Sequence, residues 1–266
     1  MPFKYHSFYF EKNIIEGRAI DIFEPEKASS DIGIFFVHGG GWRGGTRSGL
    51  HKLMRSFNAE GFICATTDYR LSPKNTLFDQ ITDIRHGYGI FLDFLRAKQR
   101  PEKTFVIGVS AGAHLAALLT AALPGECGEQ LDFGECKSGR WAVPIGAALQ
   151  ATPVTFEPWE DIFPHIWSSM QDIVGSPYEE APELYQRVSP IRYVNRKTPS
   201  IFFLEAANEH MFPLEKTLEF INKMTSMGRR AEYKVYKNVE HGFFYDTCRR
   251  QQREAFADIL AFIRSL

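Results

Sequence analysis

The chain has 266 residues, 44% of them hydrophobic and 24% charged, with 31 Lys and Arg against 32 Asp and Glu for a formal net charge of -1. A chain of that length can bury a sizeable α/β core without disulfide or metal staples. The balanced charge leaves no global field to gather nucleic acid or an anionic membrane surface, so a small and largely uncharged substrate is the favoured partner.

The opening segment, MPFKYHSFYFEKN, has neither a long apolar run nor a small-residue cleavage site. No secretory signal is therefore expected, and no stretch approaches the roughly 18 apolar residues of a membrane span. Cys64, Cys127, Cys136 and Cys248 are too few for a disulfide scaffold and read as reduced thiols of a cytoplasmic protein. One alternative stays open, because Cys127 and Cys136 flank a glycine-bearing segment and could close a small loop. C-x-x-C and H-E-x-x-H spacings do not occur, so neither a zinc site nor any other cofactor is expected.

In chain order, apolar, β-branched or aromatic runs predict strands at Arg18–Phe23, Ile32–Val37, Phe62–Thr67, Lys103–Gly108, Pro144–Gln150, Ser200–Leu204 and Glu232–Tyr236, with Tyr5–Phe10 as an edge strand. Helical periodicity covers Gly49–Ala59, Gln80–Ala97, Ala111–Ala122, Leu214–Met227 and Gln251–Ser265. IGIFFV and TFVIGV are apolar throughout, as parallel strands covered on both faces are. The alternation predicts an α/β fold, a mostly parallel, doubly wound sheet of about eight strands in one domain over residues 1–266. Two stretches interrupt it. Pro124–Ala142 reads as a surface loop insertion, and Thr152–Tyr193 either as a small lid of short helices or as an irregular packing loop.

Gly108-Val109-Ser110-Ala111-Gly112 stands between a strand and an Ala-rich helix, the context of a nucleophile elbow. The turn lifts the serine hydroxyl above the sheet edge at a helix N-terminus, whose partial positive charge favours a developing anion. A mere helix-capping serine would need neither glycine. His38-Gly39-Gly40-Gly41-Trp42 follows the Ile32–Val37 strand and offers unobstructed backbone N–H groups for an oxyanion, with Ala111 as the partner donor after the nucleophile. The same glycines match a dinucleotide fingerprint at Gly39, Gly41 and Gly44, with Asp68 as the acidic residue. That reading fails because Arg43-Gly44-Gly45-Thr46 continues as loop where a helix should begin.

Nucleophile, acid and histidine come in that order in such a fold. His241, after the AEYKVY strand, is the expected base. His114 is expected to pack structurally, His165 and His210 to be solvated or locally bonded, and His38 to shape the glycine loop. Glu205 and Glu209 are both candidate acids. Glu209 is favoured because it lies at the loop tip, where a carboxylate can fix the histidine tautomer, whereas Glu205 extends the strand.

HGGGW at 38–42, DYRLSP at 68–73, GVSAGAHLA at 108–116, SPI at 189–191 and HGFF at 241–244 together resemble the hormone-sensitive-lipase-like esterases and related small carboxylesterases of the α/β-hydrolase superfamily. The resemblance implies Gly40 and Gly41 as oxyanion donors, Gly39 as a turn-former and a structural role for Asp68-Tyr69-Arg70. The chain departs from the family in carrying glutamate where aspartate is usual, and Ala206-Ala207 where a glycine often stands. Its short N-terminal segment leaves no room for the helical cap of larger members, which points to short-chain or carbohydrate-linked acetyl-type esters. Trp42, Phe156, Trp159 and Trp167 are candidate walls for such a substrate. An aryl-formamidase-type amidase is the nearest alternative, a non-catalytic ligand receptor on the same fold a more distant one, and a homo-oligomer is left open.

Overall fold

Runs such as IGIFFV are apolar at every position because both of their faces are covered, and the sheet they build is assembled accordingly. The computed structural model describes residues 2–9, 18–129 and 141–266. Eight strands occur in these: β1 (Phe3–Tyr9), β2 (Ala19–Pro25), β3 (Ile32–Val37), β4 (Ile63–Thr67), β5 (Lys103–Val109), β6 (Gly146–Gln150), β7 (Ser200–Asn208) and β8 (Ala231–Glu240). They pair in the order β1-β2-β4-β3-β5-β6-β7-β8. The contacts β1–β2 and β2–β4 are antiparallel and all others parallel.

The helices are α1 (His51–Ala59), α2 (Leu77–Ala97), α3 (Ala111–Ala121), α4 (Pro164–Val174), α5 (Pro182–Arg187), α6 (Leu214–Ser226) and α7 (Arg250–Arg264). Successive strand residues serve opposite faces. Phe36 packs with Phe57 of α1 and the α7 side chains Ile259 and Phe262, whereas Phe35 packs with Tyr88 and Phe91 of α2 and the apolar side of α3. Every residue of α3 is buried, which its run of alanines permits by letting the helix lie close against β5 and β6. The start of α2 is fixed by a capping box in which Asp79 accepts from the Thr76 backbone N–H and hydroxyl.

The doubly wound α/β layering expected from the alternation is present. Three boundaries differ in ways that matter to the site. β7 continues past Leu204 to Asn208, and β8 continues past Tyr236 to Glu240. These extensions, paired to each other across a register shift, carry Glu209 and His241 to adjacent strand ends. The Gly49–Ala59 helix is preceded by a 3-10 turn, Arg47–Leu50, so that α1 proper starts at His51. Within 152–193 the chain forms α4, α5 and a 3-10 turn at Pro190–Tyr193. Of the 124–142 insertion, residues 130–140 lie outside the described residues, and with them Cys136. The described flank is anchored by a buried ion pair between Arg85 and Glu129.

Asp68-Tyr69-Arg70 has the structural role its resemblance implies. Arg70 Nε donates to the fully buried Asp83 at 2.9 Å, Asp68 accepts from the Arg47 backbone at 2.9 Å, and the Tyr69 hydroxyl donates to the His38 carbonyl at 2.9 Å. Among the described residues no helix is long and apolar enough to cross a membrane.

Candidate active site

The strand–turn–helix junction at 108–112 puts Ser110 at φ 55°, ψ −123°. That is unfavourable for a residue with a β-carbon, and the surrounding sheet must impose it. The Ser110 N–H is tied to the Gln150 carbonyl at 2.8 Å, and its own carbonyl accepts from Ala113 and His114 in the first turn of α3. Gly112 is required by close approach, because a β-carbon there would collide with the Val37 and His38 carbonyls at the end of β3. The elbow therefore binds β5 and α3 to the strand that carries the glycine loop.

His241, directly after β8, places Nε2 2.7 Å from Ser110 Oγ. Its Nδ1 lies 2.9 and 3.0 Å from the two Glu209 oxygens. With Nδ1–H donated to Glu209, Nε2 is left as an acceptor for the serine proton. Glu209 also accepts from the backbone N–H groups of Met211, at 2.9 Å, and Phe212. Burial alone would raise its pKa, but the His241 contact and these N–H bonds outweigh it and hold the carboxyl below its usual range. Glu205, the other candidate acid, is turned toward α6, where it accepts from the Thr217 hydroxyl at 3.0 Å. Burial, reinforced by the nearby Glu209 charge, pushes its carboxyl up to about 8, so it is protonated at neutral pH.

The 38–45 loop is held from several sides. The Gly40 carbonyl accepts from Arg43 and Gly44, and Gly40 itself adopts φ 127°, which residues with a β-carbon rarely tolerate. The Trp42 carbonyl accepts from the Ser72 N–H at 3.0 Å and from Gln80 Nε2 at 2.9 Å. His38 Nδ1 meets the Gly39 carbonyl at 2.8 Å, the loop-shaping bond expected of it, and burial lowers the pKa of its ring. The backbone of Gly40 and Gly41 reaches the same cavity as Ser110 and His241, while Ala111 begins α3 beneath it.

That cavity, about 520 Å³, is also bounded by Trp42, Arg43, Met211, Phe212 and Tyr245, and by His165, Ile166 and Ser169 of α4. The substrate walls expected from the sequence need correction. Trp42 borders the cavity, but its indole N–H is committed to His114 Nδ1 at 3.3 Å. Phe156 is fully buried against Trp42 and His114, so it is core. Trp167 packs on Tyr178 and Tyr185, and Trp159 lies behind Phe212 with ring centroids 6.3 Å apart. His114 is structural as expected. Its Nε2–H donates to the Val188 carbonyl at 2.8 Å, and burial drops its pKa to about 4.

His165, assigned no role from sequence, borders the cavity from α4, whereas His210 is exposed. Sequence reasoning did not find Arg43, Met211, Phe212 or Tyr245. The last stands one residue beyond the HGFF run, and only its position after the base could have drawn notice. Among the described residues no group of three His, Cys, Asp or Glu side chains is placed to hold a metal ion.

Comparison with known proteins bears on the family and the fold. The BD-FAE family model matches residues 20–224. The probable carboxylic ester hydrolase LipM of Mycobacterium tuberculosis is 25% identical over 215 residues, 79% of this chain and 49% of that protein. The isoprenylcysteine alpha-carbonyl methylesterase ICME of Arabidopsis thaliana is 24% identical over 277 residues, 98% of this chain and 64% of its own length. The chain thus spans about half to two thirds of these relatives. Among solved structures, esterase 2 of Thermogutta terrifontis with butyrate bound superposes with a TM-score of 0.76 at 18% identity, covering 98% of this chain and 93% of the other. The same esterase has been solved phosphorylated by paraoxon. With a family model that covers most of its length and an esterase-like sheet beneath the site, the chain belongs to the BD-FAE family and has the α/β-hydrolase fold.

Proposed function

We propose that this chain is a serine esterase, a single cytoplasmic domain that hydrolyses carboxylic esters of short acyl groups, acetyl-type esters of carbohydrates among them. The relay from Ser110 Oγ through His241 to Glu209, with steps of 2.7 and 2.9 Å, carries the reading. His241 Nε2 accepts the Ser110 proton as Oγ attacks the ester carbonyl, and Glu209 stabilises the imidazolium that forms. The N–H groups of Gly40, Gly41 and Ala111 take the charge on the tetrahedral oxygen. One such donor contributes on the order of 3–4 kcal/mol in other enzymes. The imidazolium then protonates the departing alcohol, and a water molecule repeats the sequence on the acyl-serine to release the acid.

A cavity of about 520 Å³ lined by Met211, Phe212 and Ile166 offers an acyl group an apolar wall beside Ser110. The relatives named as ester hydrolases support the reaction class. The test is initial rates on p-nitrophenyl acetate, butyrate and octanoate and on an acetylated sugar, for the wild type beside Ser110→Ala. The expected result is fastest turnover on the short esters and a silent variant. A folded wild type inactive on all four would reject the reading and move an aryl formamide to the front of the substrates to be tried.

A further inference from the structure

The cavity that holds Ser110 and His241 is lopsided in charge. Met211, Phe212 and Ile166 give it apolar walls. Among the described residues that line it, Arg43 alone carries a guanidinium or ammonium group, and none carries a carboxylate. The whole chain is nearly balanced, with a formal net charge of -1, so this cation is a local feature of the site.

The backbone fixes where Arg43 starts. Its N–H donates to the Gly40 carbonyl at 3.1 Å, and Trp42 before it is buried, with its carbonyl tied to Ser72 and Gln80. The side chain is exposed and reaches across to α4, where Nη2 donates to Asp172. On that helix His165, Ser169 and Asp172 share one face, at i, i+4 and i+7. The first two border the cavity, and Asp172 continues their line past its rim.

The Arg43 and Asp172 side chains are 41% and 50% exposed, and an ion pair so well solvated contributes little net stability. Asp172 can therefore be exchanged for another carboxylate at small cost. It can also be joined by one, because it is met through Nη2 and a guanidinium offers five N–H donors in a planar fork. We propose that Arg43 is a specificity-determining residue that receives a free carboxylate carried by the ester, with Asp172 as the competitor. The favoured substrates bear that carboxylate either on the acyl side, as in a hemiester of a dicarboxylic acid, or on the alcohol side.

This inference rests on the serine esterase reading, and its test separates the two. Two pairs of esters differ only in a charge. The p-nitrophenyl monoester of adipic acid is set beside that of adipamic acid, in which an amide replaces the carboxylate. For the alcohol side, para-acetoxybenzoate is set beside para-acetoxybenzamide. The ratio of kcat/KM within each pair is measured at low ionic strength for wild type, Arg43→Gln, Arg43→Lys and Asp172→Asn. Intrinsic reactivities cancel when that ratio is compared between variants.

In at least one pair, Arg43→Gln should lower the preference for the anionic ester about fivefold, and Asp172→Asn should raise it about threefold. The pair that responds tells which side of the ester carries the anion. Arg43→Lys keeps the charge and loses the fork, so its preference should fall between those of wild type and Arg43→Gln. Full retention by the lysine variant would reduce the effect to a general field and overturn the inference. Ratios that neither substitution moves, or that both move the same way, also overturn it and leave the ion pair as a tie between the glycine loop and α4. Should Arg43→Gln fold poorly, Asp172→Asn must still raise the ratio, and failure to do so is equally fatal. Turnover of the neutral esters with unmoved ratios rejects this inference alone, whereas a wild type inactive on all four esters rejects the esterase reading and the inference with it.

Discussion

Among the described residues, two sets of serine, histidine and carboxylate stand at hydrogen-bond distance, and the difference between them shows what the proposed nucleophile has that the other serine lacks. At the carboxyl ends of the central strands the contacts run Ser110–His241–Glu209, with the histidine between hydroxyl and acid. Toward the opposite edge of the sheet they run Ser7–Asp21–His51, at 2.7 and 2.9 Å, with the carboxylate in the middle. Ser7 stands in the regular strand β1, whereas Ser110 is forced into a strained turn at the head of a helix.

In the second set the serine proton faces a carboxylate that His51, Ser7 and Arg47 stabilise against its burial, which holds its pKa at about 2. So weak a base cannot take a hydroxyl proton, and the cluster joins β1, β2, the turn at 47–50 and α1. Composition is shared by the two sets, and the order of contact divides chemistry from scaffolding.

Substitutions should break the two sets in different observables. The largest effect is expected from Ser110→Ala, with kcat/KM on p-nitrophenyl acetate reduced by about 10⁵–10⁶, while Ser7→Ala leaves the rate within about twofold. Next comes Glu209→Gln, for which kcat should fall by about 10³–10⁴ with little change in KM, because Nδ1 loses the acceptor that fixes its tautomer. Stopped assays on both variants check this, and full activity of Glu209→Gln would mean that another group orients His241.

Asp21→Asn should leave kcat alone and lower stability by on the order of 2 kcal/mol at pH 7, since a carboxyl held at about 2 against an ordinary 3.8 differs by nearly two units. The folded pKa is the lower one. The contribution is therefore present above about pH 4 and is lost as pH falls through about 2, so urea midpoints of variant and wild type should converge in acid.

Glu205, like Asp21, should act on stability and not on turnover. Its folded pKa of about 8 stands above the ordinary 4.5, so its stabilising share is full below about pH 4.5 and is lost as pH rises toward 8. Glu205→Gln, which cannot ionise, should match the wild type near pH 4 and melt several degrees higher at pH 9. A melting curve for the variant that tracks the wild type at every pH would mean that Glu205 ionises freely in the folded protein.

The same contrast explains what was legible in the residues. Ser110, His241 and the glycine loop stand in short local patterns, G-x-S-x-G after a strand and H-G-G-G after another, whose geometry is written in consecutive positions. Glu209 over Glu205 could be favoured because a loop tip reaches the histidine, although the extension of β7 to Asn208 that sets its place depends on pairing with β8. The cavity walls were not legible. Whether Phe156 faces substrate or His114, and whether Tyr245 borders the Ser110 cavity, depends on how segments tens to hundreds of residues apart converge, and no local period encodes that. Phe156, Trp159 and Trp167 looked like walls, yet Phe156 packs on Trp42 and His114 and Trp167 on Tyr178 and Tyr185, while Met211 and Phe212 became walls by standing next to Glu209.

The central claim is that Ser110, and not another hydroxyl, is the activated nucleophile. Its most direct test is to inactivate the protein with paraoxon and locate the adduct by peptide mass spectrometry, following residual esterase activity alongside. The account predicts one diethylphosphoryl group per chain, on the peptide bearing Ser110, appearing in step with loss of activity and absent from Ser110→Ala. An adduct on a different residue, or inactivation of the wild type without modification of Ser110, would contradict it.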